Sequence, residues 1–204
     1  MTTRNLRFWN WASGRQTWIE RKQRPHLHLA VDGLGVTGGE SVLDLGCGTG
    51  PYLAVLREAV GPNGTVTGAD FSPRMLAAAQ RRIDANAWDG VTLTRVDATS
   101  TPLGVDRFDA AIAMTSLSAM PDIAAAVSNV HRALRPGGRL FVADVRPTGV
   151  ARAAYRLLTG APGEDVATHV RRRFASVASL NAHGDPTDSP TAATAPFLML
   201  LATK

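Results

Sequence analysis

The chain has 204 residues, of which 45% are hydrophobic and 19% charged. That is enough apolar content to bury a core and too little charge for a disordered polymer. The longest apolar run, Ala195 to Ala202, is eight residues, too short to cross a bilayer as a helix, and the opening residues lack the apolar stretch of a secretory leader. One cysteine, Cys47, excludes an internal disulfide and a multi-cysteine zinc site and leads us to expect a reduced, cytoplasmic setting. The net charge of +5 is concentrated at one end: residues 1–28 hold six Lys and Arg against Glu20 alone. Such a tip suits either a solvated helical face or contact of residues 4–24 with an anionic surface.

In chain order, residues 4–24 read as one or two helices carrying Phe8, Trp9, Trp11 and Trp18. A helix follows from His26 to Val36, with Leu27, Ala30, Val31 and Leu34 three and four apart, and Gly38-Gly39 stops it. Ser41 to Leu45 reads as a short buried strand. Pro51 suits the first turn of a helix that runs on to Val60. Thr65 to Ala69 is a strand, and Ser72 before Pro73 caps the next helix, with Met75, Leu76 and Ile83 on its apolar face. Strands follow at Val91 to Val96 and Ala110 to Met114. A helix spans Ile123 to Leu134 and is closed by Pro136-Gly137-Gly138, and Arg139 to Val145 is a strand. The end departs from this alternation: Phe174 to Ala182 and Pro196 to Thr203 are strand-like runs joined by the polar loop 184–190, which predicts a hairpin with the last strand antiparallel. The repeated strand–helix spacing argues for a doubly wound α/β domain with a mostly parallel sheet, whose ligand lies at the strand C-terminal edge.

The sharpest local signal is Val42-Leu-Asp-Leu-Gly-Cys-Gly-Thr-Gly50. Glycines between a strand and a helix let a ligand approach the backbone. Asp44 precedes them, and Asp70 ends the second strand twenty residues after Gly50, where a carboxylate can bond both hydroxyls of a ribose. A dinucleotide site needs G-x-G-x-x-G for its pyrophosphate. This turn is G-x-G-x-G, and Asp44 adds negative charge where phosphates would lie. A ribose-bearing ligand with a cationic group fits better.

Together with Gly68-Ala-Asp-Phe-Ser-Pro-Arg-Met-Leu76, Val96-Asp97-Ala98 and Arg132-Ala-Leu-Arg-Pro-Gly-Gly-Arg-Leu140, that motif resembles the successive motifs of class I S-adenosylmethionine-dependent methyltransferases. Among subfamilies the likeness is to the quinone-biosynthesis and phospholipid N-methylating branches. The resemblance implies a Rossmann-like, seven-stranded sheet with an antiparallel C-terminal strand and S-adenosylmethionine as cofactor. It also implies site roles. Gly46, Cys47 and Gly48, with Asp44, would hold the methionyl end, and Asp70 the ribose, with Phe71 beside the adenine. Asp97 and the Ala98 N–H would meet the adenine edge, and Met114 and Thr115 would face the cofactor. The competing reading of Asp44 and Asp97 is local loop capping.

Where the family often carries histidines before a Pro-Asp, this chain has Ser118 and Ala119 ahead of Pro121-Asp122, so no general base carries over. His26, His28 and Asp122 are the candidates. Cys47 reads as packing, since no activating base adjoins it. The five histidines show no metal-ligand spacing except His26 and His28, and residues two apart on a helix point away from each other. We expect residues 1–36 to form a helical lid and residues 37–204 the core domain. The expected acceptor is a small or lipophilic molecule, and no nucleic-acid module is recognisable. A phospholipid N-methyltransferase, an RNA methyltransferase and a non-catalytic S-adenosylmethionine-binding protein stay open, as do the acceptor atom and the oligomeric state.

Overall fold

Residues 42–45, 108–114 and 140–144 are largely apolar strand segments that need cover on both faces, and the computed structural model buries them. It describes residues 6–7, 27–146, 149–159, 164–181, 183–188 and 197–204. Helix α1 (Leu27–Leu34) precedes β1 (Ser41–Leu45). Then come α2 (Leu53–Val60), β2 (Thr65–Asp70), α3 (Pro73–Asn86), β3 (Val91–Arg95) and β4 (Phe108–Met114). A single 3₁₀ turn (Leu117–Ala119) leads to α4 (Ile123–Ala133), β5 (Leu134–Val145), α5 (Gly149–Thr159), α6 (Val166–Arg173), β6 (Ser176–Ser179) and β7 (Phe197–Thr203).

The seven strands lie in the order β3-β2-β1-β4-β5-β7-β6. The first five are mutually parallel, and β7 inserts antiparallel between β5 and β6. The strand order reverses between β1 and β4, which is where such sheets bind ligands. Alternate residues feed the two faces. Leu43, Ala111, Leu140 and Leu200 pack with Val127, Val130 and Val170 of α4 and α6. Val42, Ile112, Phe141 and Met199 pack with Leu34, Leu53 and Leu56 of α1 and α2.

Several boundaries differ from the sequence reading. Pro51 and Tyr52 stand before α2 rather than in its first turn. Pro136-Gly137-Gly138 closes no loop. The strand already begins at Leu134, pairs with Phe108, and resumes register at Arg139 opposite Ala110, so the turn is a bulge with Gly137 at φ 74°. Helices α5 and α6 have no counterpart in the sequence reading. Helix α1 is part of the core rather than of a lid: Ala30 and Leu34 are buried, and a Cβ on Gly33 would stand 3.3 Å from the Phe141 ring. The lid expected over residues 1–36 therefore overlaps a core helix. Apart from Leu6 and Arg7, residues 1–26, with Trp9, Trp11, Trp18 and His26, lie outside the described residues.

Candidate functional site

The loop leaving β1 turns back under the end of β2. The Gly46 and Cys47 N–H groups donate to the Ala69 carbonyl at 2.7 and 3.1 Å, and the Gly48 N–H donates to Asp70 Oδ2 at 3.0 Å. Gly46 has φ 72°, and a Cβ there would lie 2.4 Å from Ser116 Cβ. No other residue fits, because Ser116 itself is fixed by donating to the Leu45 carbonyl at 2.8 Å. The glycine thus lets the ends of β1 and β4 close on each other at the switch point.

Around that point lies a cleft, part of it open to solvent. One wall is Gly46, Gly48, Asp70 and Phe71; another is Ala98, Met114 and Thr115. Seven of the ten cofactor-site residues expected from sequence therefore share one cavity. Ser72, Met75, Ser116, Ala119 and Met120 also line it and were not singled out. Met75 was legible as an apolar helix position, but its direction toward the cleft was not.

The other three expected residues do not reach the wall, each for a visible reason. Asp97 folds back to accept from the Thr99 N–H at 3.1 Å and the Thr99 hydroxyl at 2.7 Å, the local capping weighed against a ligand role. Cys47 is buried across β2 beside Gly68, where a Cβ would lie 3.1 Å from its sulfur. Burial, with the charges of Asp44 and Asp70, pushes its thiol well above the ordinary range, so it is a packing group and not a thiolate. Asp44 is buried within β1, just before the glycines.

Asp44 caps nothing. It is 1% exposed, and its Oδ2 has no hydrogen-bond partner. Burial, and secondarily the charge of Asp70, pushes its carboxyl up to about 8. The buried Tyr52 hydroxyl has no hydrogen-bond partner either, and burial and the Asp44 charge move it upward. Asp70 Oδ1 accepts from the Ser72 N–H at 2.7 Å and Oδ2 from the Gly48 N–H at 3.0 Å, and the Phe71 amide is a third backbone partner. A carboxylate offers about four acceptor sites, so capacity for a further donor remains. Burial raises its pKa against the pull of those amides. Among the described residues neither carboxylate has a cationic partner.

The wall at the ends of β4 and β5 is built differently. Thr115 holds a left-handed backbone, φ 51°, a strain found at functional sites. Its N–H donates to the Ala143 carbonyl at 2.6 Å, so β5 holds it in place. Behind the 3₁₀ turn, the fully buried Asp144 accepts from the Ser118 N–H at 3.0 Å and the Ser118 hydroxyl at 2.5 Å. The Ser118 oxygen lies 2.9 Å from the Tyr155 hydroxyl of α5. Burial pushes Asp144 up to about 6 despite these bonds.

The general-base candidates are not assembled at the cleft. Asp122 caps α4, accepting from the Ala125 N–H at 2.8 Å. His28 is exposed on α1. Among the described residues no group of His, Cys, Asp and Glu is arranged to hold a metal, and no helix is long and apolar enough to cross a membrane.

Residues 42–138 match the family described as a methyltransferase domain. A demethylmenaquinone methyltransferase of Staphylococcus aureus is 37% identical over 116 residues, 56% of this chain and 47% of that protein. The chain spans less than half the length of the first curated relatives it matches. A S-adenosylmethionine-dependent methyltransferase from Aquifex aeolicus superposes over 94% of this chain and 97% of its own, with TM-score 0.69 and 15% identity. The [4+2]-cyclase SpnF superposes over 88% of this chain and 78% of its own, with TM-score 0.64 and 21% identity. The structural likenesses speak to the fold alone.

Proposed function

We propose, from the match of residues 42–138 to a methyltransferase domain, that the chain is a class I S-adenosylmethionine-dependent methyltransferase that binds this cofactor in the cleft and methylates a small or lipophilic acceptor. The observation that carries the reading is the pair Asp44 and Asp70: two carboxylates at a glycine loop, without a cationic partner among the described residues, one of them buried with an orphaned oxygen. A pyrophosphate would disfavour ionisation of this pair still further, whereas an ammonium or sulfonium would favour it.

In this reading Asp44 and the Gly46–Gly48 backbone hold the amino-acid end. Asp70 accepts from the ribose hydroxyls with its remaining lone pairs, and Phe71, Met75 and Ala98 bound the adenine. Asp97, whose Thr99 contacts are both on Oδ1, is assigned to the adenine amine. S-adenosylmethionine supplies a methyl group on a sulfonium, whose leaving group is a neutral thioether. The chain's contribution is therefore alignment and exclusion of water, for which Met114, Ala119 and Met120 offer an apolar wall. That wall, and the 37% identical relative named for a quinone substrate, support a lipophilic acceptor.

A second reading, cofactor binding without methyl transfer, draws on the makeup of the cleft wall: Asp70, assigned here to the ribose, is its one titratable side chain among the described residues, and Asp122 is spent on a helix cap. Phenol or enol acceptors need a general base, and neutral amines do not. Calorimetry with S-adenosylmethionine, S-adenosylhomocysteine and NAD tests the cofactor. We expect the first two to bind and NAD not to, and tighter NAD binding would overturn the reading. Mass spectrometry of quinol, phenol and amine acceptors then separates methyl transfer from binding alone.

A further inference from the structure

Helix α5 is turned with its apolar stripe outward. Tyr155 is its inward side chain, half-buried and 2.9 Å from Ser118. Every other described side chain of the helix is exposed. At about 100° per residue, Val150 and Leu157 lie roughly 140–160° round from Tyr155, and they expose 87% and 71% of their surface. Ala153 and Ala154 fill the stripe between them. Arg152 and Arg156, one turn apart, share one flank, and residues 149–159 contain no acidic residue. Leaving this stripe exposed to water is unfavourable for a helix that packs only on its own domain.

We propose that α5 docks the protein on an anionic lipid surface, its apolar stripe entering the acyl boundary and its two arginines pairing with headgroup phosphates. Charge and size disfavour the other occupants. A second copy would pair Arg152 and Arg156 with their own symmetry mates. A helix of 11 residues also offers far less than the roughly 800 Å² per partner of a stable interface. The chain's own first 28 residues, with six basic groups and one acidic, repel the flank rather than complement it. An apolar stripe flanked by cations with no acidic residue is the pattern of interfacial helices.

The position has a consequence. Helix α5 leaves the C-terminal end of β5, and Tyr155 anchors it to Ser118, the neighbour of Ala119 on the cleft wall. Docking through α5 would hold the cleft at the lipid boundary, within reach of a lipophilic acceptor. The docking itself stands apart from the methyl-transfer reading.

The test is co-sedimentation of the full chain with phosphatidylcholine vesicles, with and without phosphatidylglycerol, at low and high salt. S-adenosylhomocysteine affinity is measured in parallel as the check on fold and cofactor site. We expect binding to the phosphatidylglycerol vesicles that weakens with salt. It should fall at least about tenfold in V150D/L157D, by loss of the apolar insertion, and in R152E/R156E, with nucleoside affinity unchanged in both. Should V150D/L157D fail to fold, R152E/R156E alone decides. No binding by the wild type, binding that survives both substitutions, or a concentration-dependent dimer abolished by V150D/L157D would each overturn the proposal.

Discussion

Asp44 sets how the site responds to pH. Its folded pKa, raised from 3.8 to about 8, means that the fold favours the neutral acid. Its contribution to stability is present in full below about pH 4 and is lost as pH climbs through about 8. A ligand ammonium favours the ionised form instead. S-adenosylhomocysteine should therefore bind more tightly from about pH 6 to about pH 7.5, by at most tenfold per unit, while the unliganded protein melts lower. Asp44→Asn should weaken binding and flatten that slope; calorimetry across the range reads both. Asp70→Ala should cost binding roughly 1.5–3 kcal/mol. Stability should fall with it, because Asp70 also holds the Gly48 and Ser72 amides. Asp70→Asn, which keeps one acceptor, should spare most of the stability and little of the affinity. Asp44 and Asp70 were legible in the sequence because their distances from the glycines are set by one strand and one crossover. Asp144, Ser118 and Tyr155 were not, because their contacts span 26 and 37 residues and depend on where α5 lands.

At the scale of elements, the glycine turn is the joint on which β1 and β4 close. Gly46→Ala puts a Cβ 2.4 Å from Ser116 Cβ and fixes a non-glycine residue at φ 72°. Strain of that backbone alone is worth about 1–3 kcal/mol, and the overlap adds to it. Urea unfolding should show a loss of about 2 kcal/mol or more, with S-adenosylhomocysteine affinity reduced, since the loop amides must shift. An unchanged midpoint would mean that the strand ends are looser than their hydrogen bonds imply. The parallel strands were readable because burial on both faces leaves near-continuous apolar runs at β4 and β5. The β5 bulge was hidden, because Pro-Gly-Gly signals a turn equally well outside a strand or within one. Helix α6 was hidden by its Arg171-Arg172-Arg173 end: only Val166, Ala167 and Val170 are buried, three residues that carry a weak pattern on their own.

Across the whole molecule, the doubly wound order follows from parallel strands needing right-handed crossovers, and the cleft position follows from the reversal between β1 and β4. What the sequence could not divide correctly is where the N-terminal segment ends and the core begins. Amphipathic spacing marks α1 as helical, but spacing does not say which surface its stripe meets. The structure puts that stripe on β5 and α2, with Ala30 and Leu34 buried against the Phe141 face. Two truncations separate the segments. Removing residues 1–36 takes α1 out of the core and should cost more than about 3 kcal/mol, the scale of emptying a single buried leucine site. Removing residues 1–26 leaves α1 in place, so the difference between the two, measured by urea unfolding, isolates α1. We propose that residues 1–26 cover the bound cofactor. Hydrogen exchange over residues 4–28 should then slow when S-adenosylhomocysteine is added, and the shorter truncation should lose methyl transfer more than stability. Unaltered exchange together with full activity would leave that segment only its charge to act through.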